Sequence, residues 1–318
     1  MQWRTYAVGM RVRFRGISVR EGMLLRGPCG WAEWSPFADY DTHESLPWLL
    51  AAYEAAYEPW PAPLRDAVPV NVTVPAVGPD RAYDIVAASG CRTAKVKVAE
   101  QGQSLADDVD RVSAVRDALG ADGSIRIDAN GAWSVDDAVT AIPRLDRAAG
   151  GLQYAEQPCR DVEELATVRR RVAVPVAADE SIRRAEDPLR VAALGAADVA
   201  VLKVQPLGGV RGCLRIAERI GLPVVVSSAL ETSVGIGAGV ALAAALPELP
   251  YACGLATVRL LREDVVAEPL VPVDGLLSTR RPQPNAASLA AACASPGVDA
   301  RWRERLAAVD ALRQDHYS

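Results

Sequence analysis

The segment Arg92-Thr-Ala-Lys-Val-Lys-Val-Ala-Glu100 places Lys95 and Lys97 two residues apart within a short run of β-branched residues. Side chains of a β-strand alternate between its two faces, so both ammonium groups must point to the same side. Two like charges on one face of a strand repel each other unless the surrounding structure uses them. The segment therefore predicts a strand whose charged face lines a polar interior.

The chain around this strand, from about residue 68 onward, alternates short β-branched runs with Ala-, Arg- and Asp-rich segments. Such alternation is typical of βα units and a parallel sheet. Eight strands at this spacing predict a (β/α)₈ TIM-type barrel, for which about 250 residues is a usual size. The predicted strands are residues 70–74, 94–98, 125–128, 152–156, 174–178, 199–203, 222–226 and 251–254.

The two ends of the chain are predicted to form a small α+β capping domain. Three strand signals separated by glycines indicate an antiparallel meander, and Ser45 is the predicted N-cap of the helix that follows. The predicted division is residues 1–67 for the capping domain, 68–260 for the barrel, and 261–318 for a segment that returns to the capping domain and ends in helices.

The overall composition is that of an ordinary globular protein. The chain has 318 residues, of which 50% are hydrophobic and 24% are charged, and its formal net charge is −5. This charge gives no positive field for nucleic acid or an anionic membrane, so neither is predicted as a partner. The six cysteines form no CxxC pair, and no leader or membrane-spanning segment is predicted. A cytoplasmic protein is expected, and its oligomeric state is left open.

Ionisable residues close five consecutive predicted strands, always at the same end. The carboxyl ends of the strands form the active-site face of such a barrel. Asp128, Glu156 and Asp179 end three successive strands, so their carboxylates are expected to lie close together. Close carboxylates repel each other unless a cation lies among them, and oxygen-only ligation suits Mg²⁺. A metal site is therefore predicted, with helix capping as the alternative role for each acid.

Lysines flank the predicted metal site. Lys95 and Lys97 come from strand two and Lys203 from strand six, which form opposite walls of an eight-stranded barrel. Burial in apolar strands is expected to lower the pKa of these lysines, which would make them competent general bases. A cation and opposed lysines indicate proton removal α to a carboxylate, because fixed positive charges stabilise the resulting enediolate. The alternatives are ion pairs for Lys95 and Lys203, or a Schiff base at Lys203.

Five motifs in this order resemble the enolase superfamily, and within it the subgroup typified by muconate-lactonising enzymes. They are Lys95-Val-Lys97, Ile127-Asp-Ala-Asn130, Glu156-Gln-Pro158, Asp179-Glu-Ser181 and Lys203-Val-Gln-Pro. The chain length and two later segments look most like the o-succinylbenzoate synthases of that subgroup. Those segments are Ser227-Ser-Ala-Leu-Glu-Thr-Ser-Val-Gly and Tyr251-Ala-Cys-Gly-Leu-Ala-Thr.

The resemblance implies a reaction and roles for individual residues. The reaction is the syn dehydration of 2-succinyl-6-hydroxy-2,4-cyclohexadiene-1-carboxylate to 2-succinylbenzoate, in menaquinone biosynthesis. Lys97 would remove the α-proton and then protonate the departing hydroxyl, Lys203 would stabilise the enediolate, and Lys95 would support Lys97. Loops at 16–23 and 38–44 would close over the barrel mouth. The resemblance further implies Asp128, Glu156 and Asp179 as ligands of Mg²⁺ or Mn²⁺, Asn130 and Glu180 beside them, and Ser227, Ser228 and Gly254 in the substrate pocket.

Three alternatives stay open from the sequence. Members of the same subgroup racemise N-acylamino acids with the same two lysines, and pocket shape decides between the substrates. A non-enzymatic small-molecule-binding barrel would keep the fold without the chemistry. A doubly wound sheet would use Gly235-Ile-Gly-Ala-Gly as a phosphate site, although this segment opens an apolar helix instead of following a strand directly.

Overall fold

Two sheets, one antiparallel and one parallel, form the framework of the protein in a computed structural model that describes residues 2–184 and 187–316. The antiparallel sheet contains β1 (Gln2–Phe14), β2 (Ile17–Gly27) and β3 (Gly30–Trp34), in that order. Helix α1 (Thr42–Tyr57) follows and packs on this sheet in an apolar core of its own. The predicted meander and helix are confirmed.

Two local predictions for this part of the chain are wrong. The N-cap of α1 is Asp41, because its carboxylate accepts the backbone N–H of Glu44 and the Glu44 carboxylate accepts the N–H of Asp41 in return. Ser45 lies one turn further, with its hydroxyl donated to the carbonyl of Asp41. Residues 17–23, predicted to belong to a loop, lie in β2, which pairs with β1 on one side and β3 on the other.

The parallel sheet curves into the wall of a barrel. The strands after β3 are β4 (Ala67–Pro69), β5 (Val72–Val74), β6 (Thr93–Lys97), β7 (Ser124–Asp128), β8 (Leu152–Glu156), β9 (Val176–Ala178), β10 (Val199–Leu202), β11 (Val224–Val226) and β12 (Leu276–Ser278). Strands β5 to β11 form the parallel sheet, in which each strand lies beside the next one along the chain. A short antiparallel pair of β4 and β12 lies outside this sheet.

The gap between β11 and β5 is closed by two residues. Cys253 forms a parallel bridge to Val70, and Gly254 forms one to Ser227. Backbone hydrogen bonds of 2.7 to 3.0 Å accompany both bridges. The predicted eighth strand is therefore present as an extended link that is too short to appear as a strand, and the barrel is closed.

Helices cover the outside of the barrel. They are α2 (Pro79–Ala87), α3 (Leu105–Leu119), α4 (Val135–Ala149), α5 (Val162–Arg171), α6 (Glu180–Arg183), α7 (Arg190–Ala193), α8 (Val210–Ile220) and α9 (Ser233–Ala245). The largest apolar core lies between these helices and the strands. A smaller cluster, centred on Tyr154 and Val201, fills the barrel interior. None of the helices in the described residues is long and apolar enough to cross a membrane.

The C-terminal segment contacts both the barrel and the N-terminal unit. Its strand β12 pairs with β4 at the amino ends of the barrel strands, whereas a bridge from Cys293 to Tyr6 joins it to β1. The terminal helices are α10 (Ala286–Ala291) and α11 (Pro296–His316), and α11 packs against α1. The segment thus returns to the N-terminal unit through Leu261, Cys293 and α11, and not through β12. The division into three ranges stays a prediction.

Gly254 is expected to be required for barrel closure. A Cβ added at this position would lie 2.5 Å from the hydroxyl oxygen and 3.2 Å from the Cβ of Ser227, so the neighbouring segment would have to move. We expect Gly254→Ala to lower the free energy of unfolding by about 1–3 kcal/mol, measured by urea denaturation. Gly297→Ala is the control, because its added Cβ meets no atom within 4 Å. Equal stability of the two variants would contradict the prediction.

Candidate active site

The predicted strand-end residues lie at one end of the barrel. In the parallel register Lys97 pairs with Asp128, and Asp128 pairs with Glu156. Asp179 directly follows β9, and Lys203 directly follows β10. Since β6 and β10 are separated by three strands in the sheet, Lys97 and Lys203 lie on opposite walls. The sequence placed these side chains correctly because parallel strands end at the same face of a barrel.

Each lysine is paired with a carboxylate. The ammonium nitrogen of Lys95 lies 2.8 Å from Oε1 of Glu156 and 3.1 Å from Oδ2 of Asp128. That of Lys97 lies 2.5 Å from the same Asp128 oxygen, and that of Lys203 lies 2.6 Å from Oδ2 of Asp179. The carboxylates are almost completely buried. Lysine charge therefore neutralises all three acids in this structure.

The environment shifts the pKa of the two buried lysines in opposite directions. Burial lowers the pKa of Lys95, but the charges of Glu156 and Asp128 outweigh it and hold the pKa well above its ordinary value. The expected lowering is therefore wrong for Lys95, which is held as a charged ion-pair partner. For Lys203, burial outweighs the attraction of Asp179, and its pKa is lowered as predicted.

The acids show the repulsion that three close carboxylates must have. Burial raises the pKa of Glu156 to about 7, and the charges of Asp128 and Asp179 add to the rise. Burial also acts to raise the pKa of Asp128, but Lys97 and Lys95 reverse this and hold it well below its usual range. Among these acids, Glu156 is thus the one whose ionised form would be stabilised most by an additional positive charge nearby.

The three carboxylates are suitable ligands for a divalent cation, although their side chains are not arranged around a common point in this structure. Three buried carboxylates on adjacent strands supply the oxygen ligands that Mg²⁺ prefers. Within the described residues, no three His, Cys, Asp or Glu side chains are placed so that they could hold an ion together. The ammonium groups of Lys95, Lys97 and Lys203 take the oxygens that a cation would contact.

Asn130 and Glu180 lie beside the carboxylates, as predicted. Asn130 accepts a hydrogen bond of 2.6 Å from Lys97 and donates one of 3.2 Å to Oε1 of Glu180. The other oxygen of Glu180 is buried and has no hydrogen-bond partner among the residues that the structure describes. Burial raises the pKa of Glu180 to about 7, and the charge of Asp179 contributes.

Arg183 belongs to the site and was not predicted from the sequence. Its Nε donates to Asp179 over 2.9 Å, its Nη2 donates to Glu180 over 2.5 Å, and its Nη1 bonds the hydroxyl of Tyr40. The available signal was spacing, because Arg183 is four residues after Asp179 and α6 brings the two together. The Tyr40 contact, which links the N-terminal unit to the barrel, had no signal in the local sequence.

A cavity of about 250 Å³ lies over the strand ends. All three lysines line it, and so do the predicted pocket residues Ser227, Ser228 and Gly254. The turn between β1 and β2 and the loop after β3 cover part of the cavity. The covering segment between β1 and β2 is therefore shorter than the predicted loop of residues 16–23. Gly16, from the predicted covering loop, also lines the cavity. The cavity residues that the sequence did not predict are Arg13, Phe14, Arg15, Phe37, Thr73, Ala76, Glu100, Arg183, Ala229, Leu230 and Thr257.

The amino terminus of α9 is closed to an external anion. The carboxylate of Glu33, from β3, accepts the backbone N–H groups of Thr232 and Gly235 over 3.1 Å. Asp264 accepts the N–H of Ser233 over 3.2 Å. The alternative that the glycines after Gly235 bind phosphate is therefore wrong, because carboxylates of the protein itself already satisfy this helix end.

Glu231 is expected to make stability depend on pH. Burial raises its pKa to about 7 from an ordinary 4.5, and the neighbouring charge of Glu33 adds to the rise. The folded protein therefore holds this proton to higher pH than the unfolded chain. The contribution of the protonated Glu231 carboxyl to the free energy of unfolding is complete below about pH 4.5, and it is lost as the pH rises through 7.

Replacing Glu231 by glutamine should remove this dependence. We compare the free energies of unfolding of the variant and the parent protein by urea denaturation at pH 5 and at pH 8. The difference, variant minus parent, is expected to be about 1–3 kcal/mol larger at pH 8 than at pH 5. Glu248→Gln, at an exposed position after α9, is the control and should show no such gain. The same stability difference for Glu231→Gln at both pH values would contradict the assignment.

Family models match both parts of the chain. One described as enolase C-terminal domain-like matches residues 79–284, and one described as enolase N-terminal domain-like matches residues 5–56. The muconate lactonizing enzyme from Pseudomonas fluorescens, solved with muconolactone, covers 92% of this chain and 98% of its own with a TM-score of 0.77. At 20% identity, this likeness shows the fold alone.

Curated relatives are much more similar in sequence. The o-succinylbenzoate synthase of Thermobifida fusca (strain YX) is 65% identical over 98% of this chain and 96% of its own length. The o-succinylbenzoate synthase of Mycolicibacterium smegmatis (strain ATCC 700084 / mc(2)155) is 58% identical over 96% and 94%, respectively.

A closed barrel with carboxylates on three successive strand ends, lysines on opposite walls and an N-terminal unit over the mouth defines an enzyme of the enolase superfamily. The sequence relatives narrow this class further. The chain belongs to the o-succinylbenzoate synthase family of that superfamily.

Proposed function

We propose that this protein dehydrates 2-succinyl-6-hydroxy-2,4-cyclohexadiene-1-carboxylate to 2-succinylbenzoate. The observation that carries the proposal is the placement of Lys97 and Lys203 on opposite walls of one cavity, with three carboxylates at the intervening strand ends. Family membership supports the same substrate, because the close relatives are named o-succinylbenzoate synthases. A step in menaquinone biosynthesis, a carboxylate as the small-molecule substrate and a cytoplasmic location belong to this proposal.

Lys97 is the proposed base and acid. In its neutral form the amine takes the proton α to the substrate carboxylate, and the electrons of the C–H bond move into the carboxylate to give an enediolate. The resulting ammonium group then protonates the hydroxyl that departs from the same face, which releases water and completes the aromatic ring. The contacts of Lys97 with Asp128 and Asn130 support this role, because they hold its nitrogen at the cavity wall.

Lys203 and Lys95 have supporting electrostatic roles. Lys203 faces the substrate from the other wall and stabilises the negative charge of the enediolate. Lys95 is paired with Glu156 and Asp128, and its raised pKa keeps it charged. Its positive charge lies on the same strand face as Lys97 and holds the carboxylates of Glu156 and Asp128 in place.

Asp128, Glu156 and Asp179 are the proposed ligands of Mg²⁺ or Mn²⁺. When bound, a divalent cation supplies electrophilic stabilisation for the substrate carboxylate. The fit is chemical, since three buried acids share one strand-end surface, where burial and then the charges of Asp128 and Asp179 raise the pKa of Glu156. Asn130 and Glu180 orient Lys97 and Arg183 around these acids.

A direct assay tests the proposed function. The protein is incubated with the cyclohexadiene substrate, and the formation of 2-succinylbenzoate is followed with and without EDTA. We expect turnover that EDTA abolishes and that added Mg²⁺ restores. Turnover that is fully retained in EDTA would contradict the metal assignment, and the absence of turnover in the presence of Mg²⁺ would contradict the substrate.

A second candidate activity is racemisation of N-acylamino acids. It is favoured by one observation, the opposed position of Lys97 and Lys203, which allows proton removal on one face and return on the other. Incubation with one enantiomer of N-succinylphenylalanine in D₂O tests it. Deuterium exchange with loss of optical rotation would establish the activity for that substrate, and unchanged rotation without exchange would exclude it.

A further inference from the structure

Arg20 is a buried guanidinium that spans two different parts of the molecule. It lies on β2 and is only 2% exposed. None of the hydrogen bonds described for it goes to a carboxylate. A buried charge that is compensated by carbonyl groups must be placed accurately, because each lost bond leaves a charged donor without a partner. Its partners therefore indicate which segments depend on it.

One set of partners belongs to the barrel side of the cavity. Nε of Arg20 donates to the carbonyl of Leu230 over 3.0 Å, and Nη2 donates to the carbonyl of Ala229 over 3.1 Å. Both residues line the cavity together with Ser227 and Ser228. We call residues 227–230 the pocket wall. Arg20 holds two backbone carbonyl groups of this wall.

The wall has a conformation that needs such support. Leu230 has φ +64°, in the left-handed region that is unfavourable for a residue with a branched side chain. A backbone strained in this way persists only when the surrounding contacts determine it. The carbonyl of Leu230 is one of the groups that Arg20 holds, so the guanidinium acts directly at the strained residue.

A second set of partners belongs to the N-terminal side of the cavity. Nη2 of Arg20 donates to the carbonyl oxygen of Ser35 over 2.5 Å and to its hydroxyl over 2.9 Å. The guanidinium carbon also lies 4.6 Å from the ring centroid of Phe37, which lines the cavity. One side chain thus contacts two segments that both line the cavity, although they are far apart along the chain. The planar guanidinium group, which carries several N–H donors, can bond to acceptors in both segments at once, whereas a lysine ammonium group cannot reach all of these acceptors.

We propose that Arg20 is a positioning residue for substrate binding, which fixes the pocket wall 227–230 against Phe37 and so sets the shape of the cavity. The inference rests on the proposed function for its substrate. Lys203 is held separately by its ion pair with Asp179, and Lys97 by Asp128 and Asn130. Loss of Arg20 should therefore disturb binding more than the chemical step.

Kinetics of Arg20→Met with the cyclohexadiene substrate test the proposal. We expect KM to rise at least about tenfold while kcat falls less than about threefold, because the wall moves and the catalytic lysines keep their partners. Arg20→Lys should give a KM between those of the parent and Arg20→Met, and it carries the test if Arg20→Met does not fold. Arg26→Met, at an exposed position on the same strand, is the control and should leave both constants unchanged.

Hydrogen–deuterium exchange gives a readout that does not depend on turnover. Peptides covering residues 227–232 should exchange faster in Arg20→Met or Arg20→Lys than in Arg26→Met, without substrate present. Unchanged exchange in folded Arg20 variants would overturn the proposal, and so would a lower kcat with an unchanged KM. Absence of turnover in the parent protein would instead refute the proposed function, and the exchange experiment would still decide whether Arg20 holds the wall.

Discussion

Lys97→Ala is expected to lower kcat for the dehydration by about 10⁴-fold, the largest effect of any single substitution in this protein. In the proposed mechanism the lysine acts twice, first as base and then as acid, so its removal would eliminate both proton transfers. Fold should be retained, because Asp128 keeps its ion pair with Lys95 at 3.1 Å. The measurement is steady-state turnover of the cyclohexadiene substrate at saturating Mg²⁺.

Two further measurements make the result specific. Circular dichroism of Lys97→Ala should match the parent protein, since the core is not altered. Mg²⁺ should bind at least as tightly as in the parent, since all three carboxylates remain and Lys97 no longer occupies an oxygen of Asp128. Arg92→Ala is the control, because this arginine is exposed at the start of the segment that contains β6, at the opposite end of the strand. Substantial residual turnover in a folded Lys97→Ala protein with normal Mg²⁺ binding would refute the assignment of Lys97 as the base.

Glu156→Gln is expected to weaken Mg²⁺ binding at least about 100-fold, measured by isothermal titration calorimetry in the absence of substrate. The substitution keeps the shape of the side chain and removes one of the three charges that would hold the ion. Turnover at low Mg²⁺ should fall in parallel with the affinity.

The control for this prediction lies in the same cavity. Glu100 lines the cavity but belongs to the segment after β6 and is not part of the strand-end row of acids. Glu100→Gln should bind Mg²⁺ within about twofold of the parent protein. Parent-like affinity in Glu156→Gln would show that Glu156 is not a metal ligand, whatever the activity of the variant.

The sequence was sufficient to predict the strand-end row of the active site. Lys97, Asp128 and Glu156 could be placed together from local patterns, because each closes an apolar run and parallel strands bring their ends to one face. Lys203 could be placed on the opposite wall by counting strands. The eighth strand was predicted at its correct position, but its reduction to a two-residue bridge depends on contacts with Val70 and Ser227.

The direction of the Lys95 pKa shift could not be predicted from the strand alone. Burial and charge act in opposite directions on a lysine, and their balance depends on the distance to each carboxylate. The structure places two acids within 3.1 Å of Lys95, which makes charge the larger effect. Lys203 has a single close acid, and there burial is the larger effect.

The sequence by itself thus determined the barrel, the order of its strands and the residues that end them, because these follow from patterns a few residues long. Only the tertiary structure decided how the N-terminal unit shapes the cavity. Arg20 and Tyr40 contact barrel segments that are more than 140 residues away along the chain. No local pattern encodes such contacts, since they exist only after β2 and the loop after β3 have packed against the mouth of the barrel.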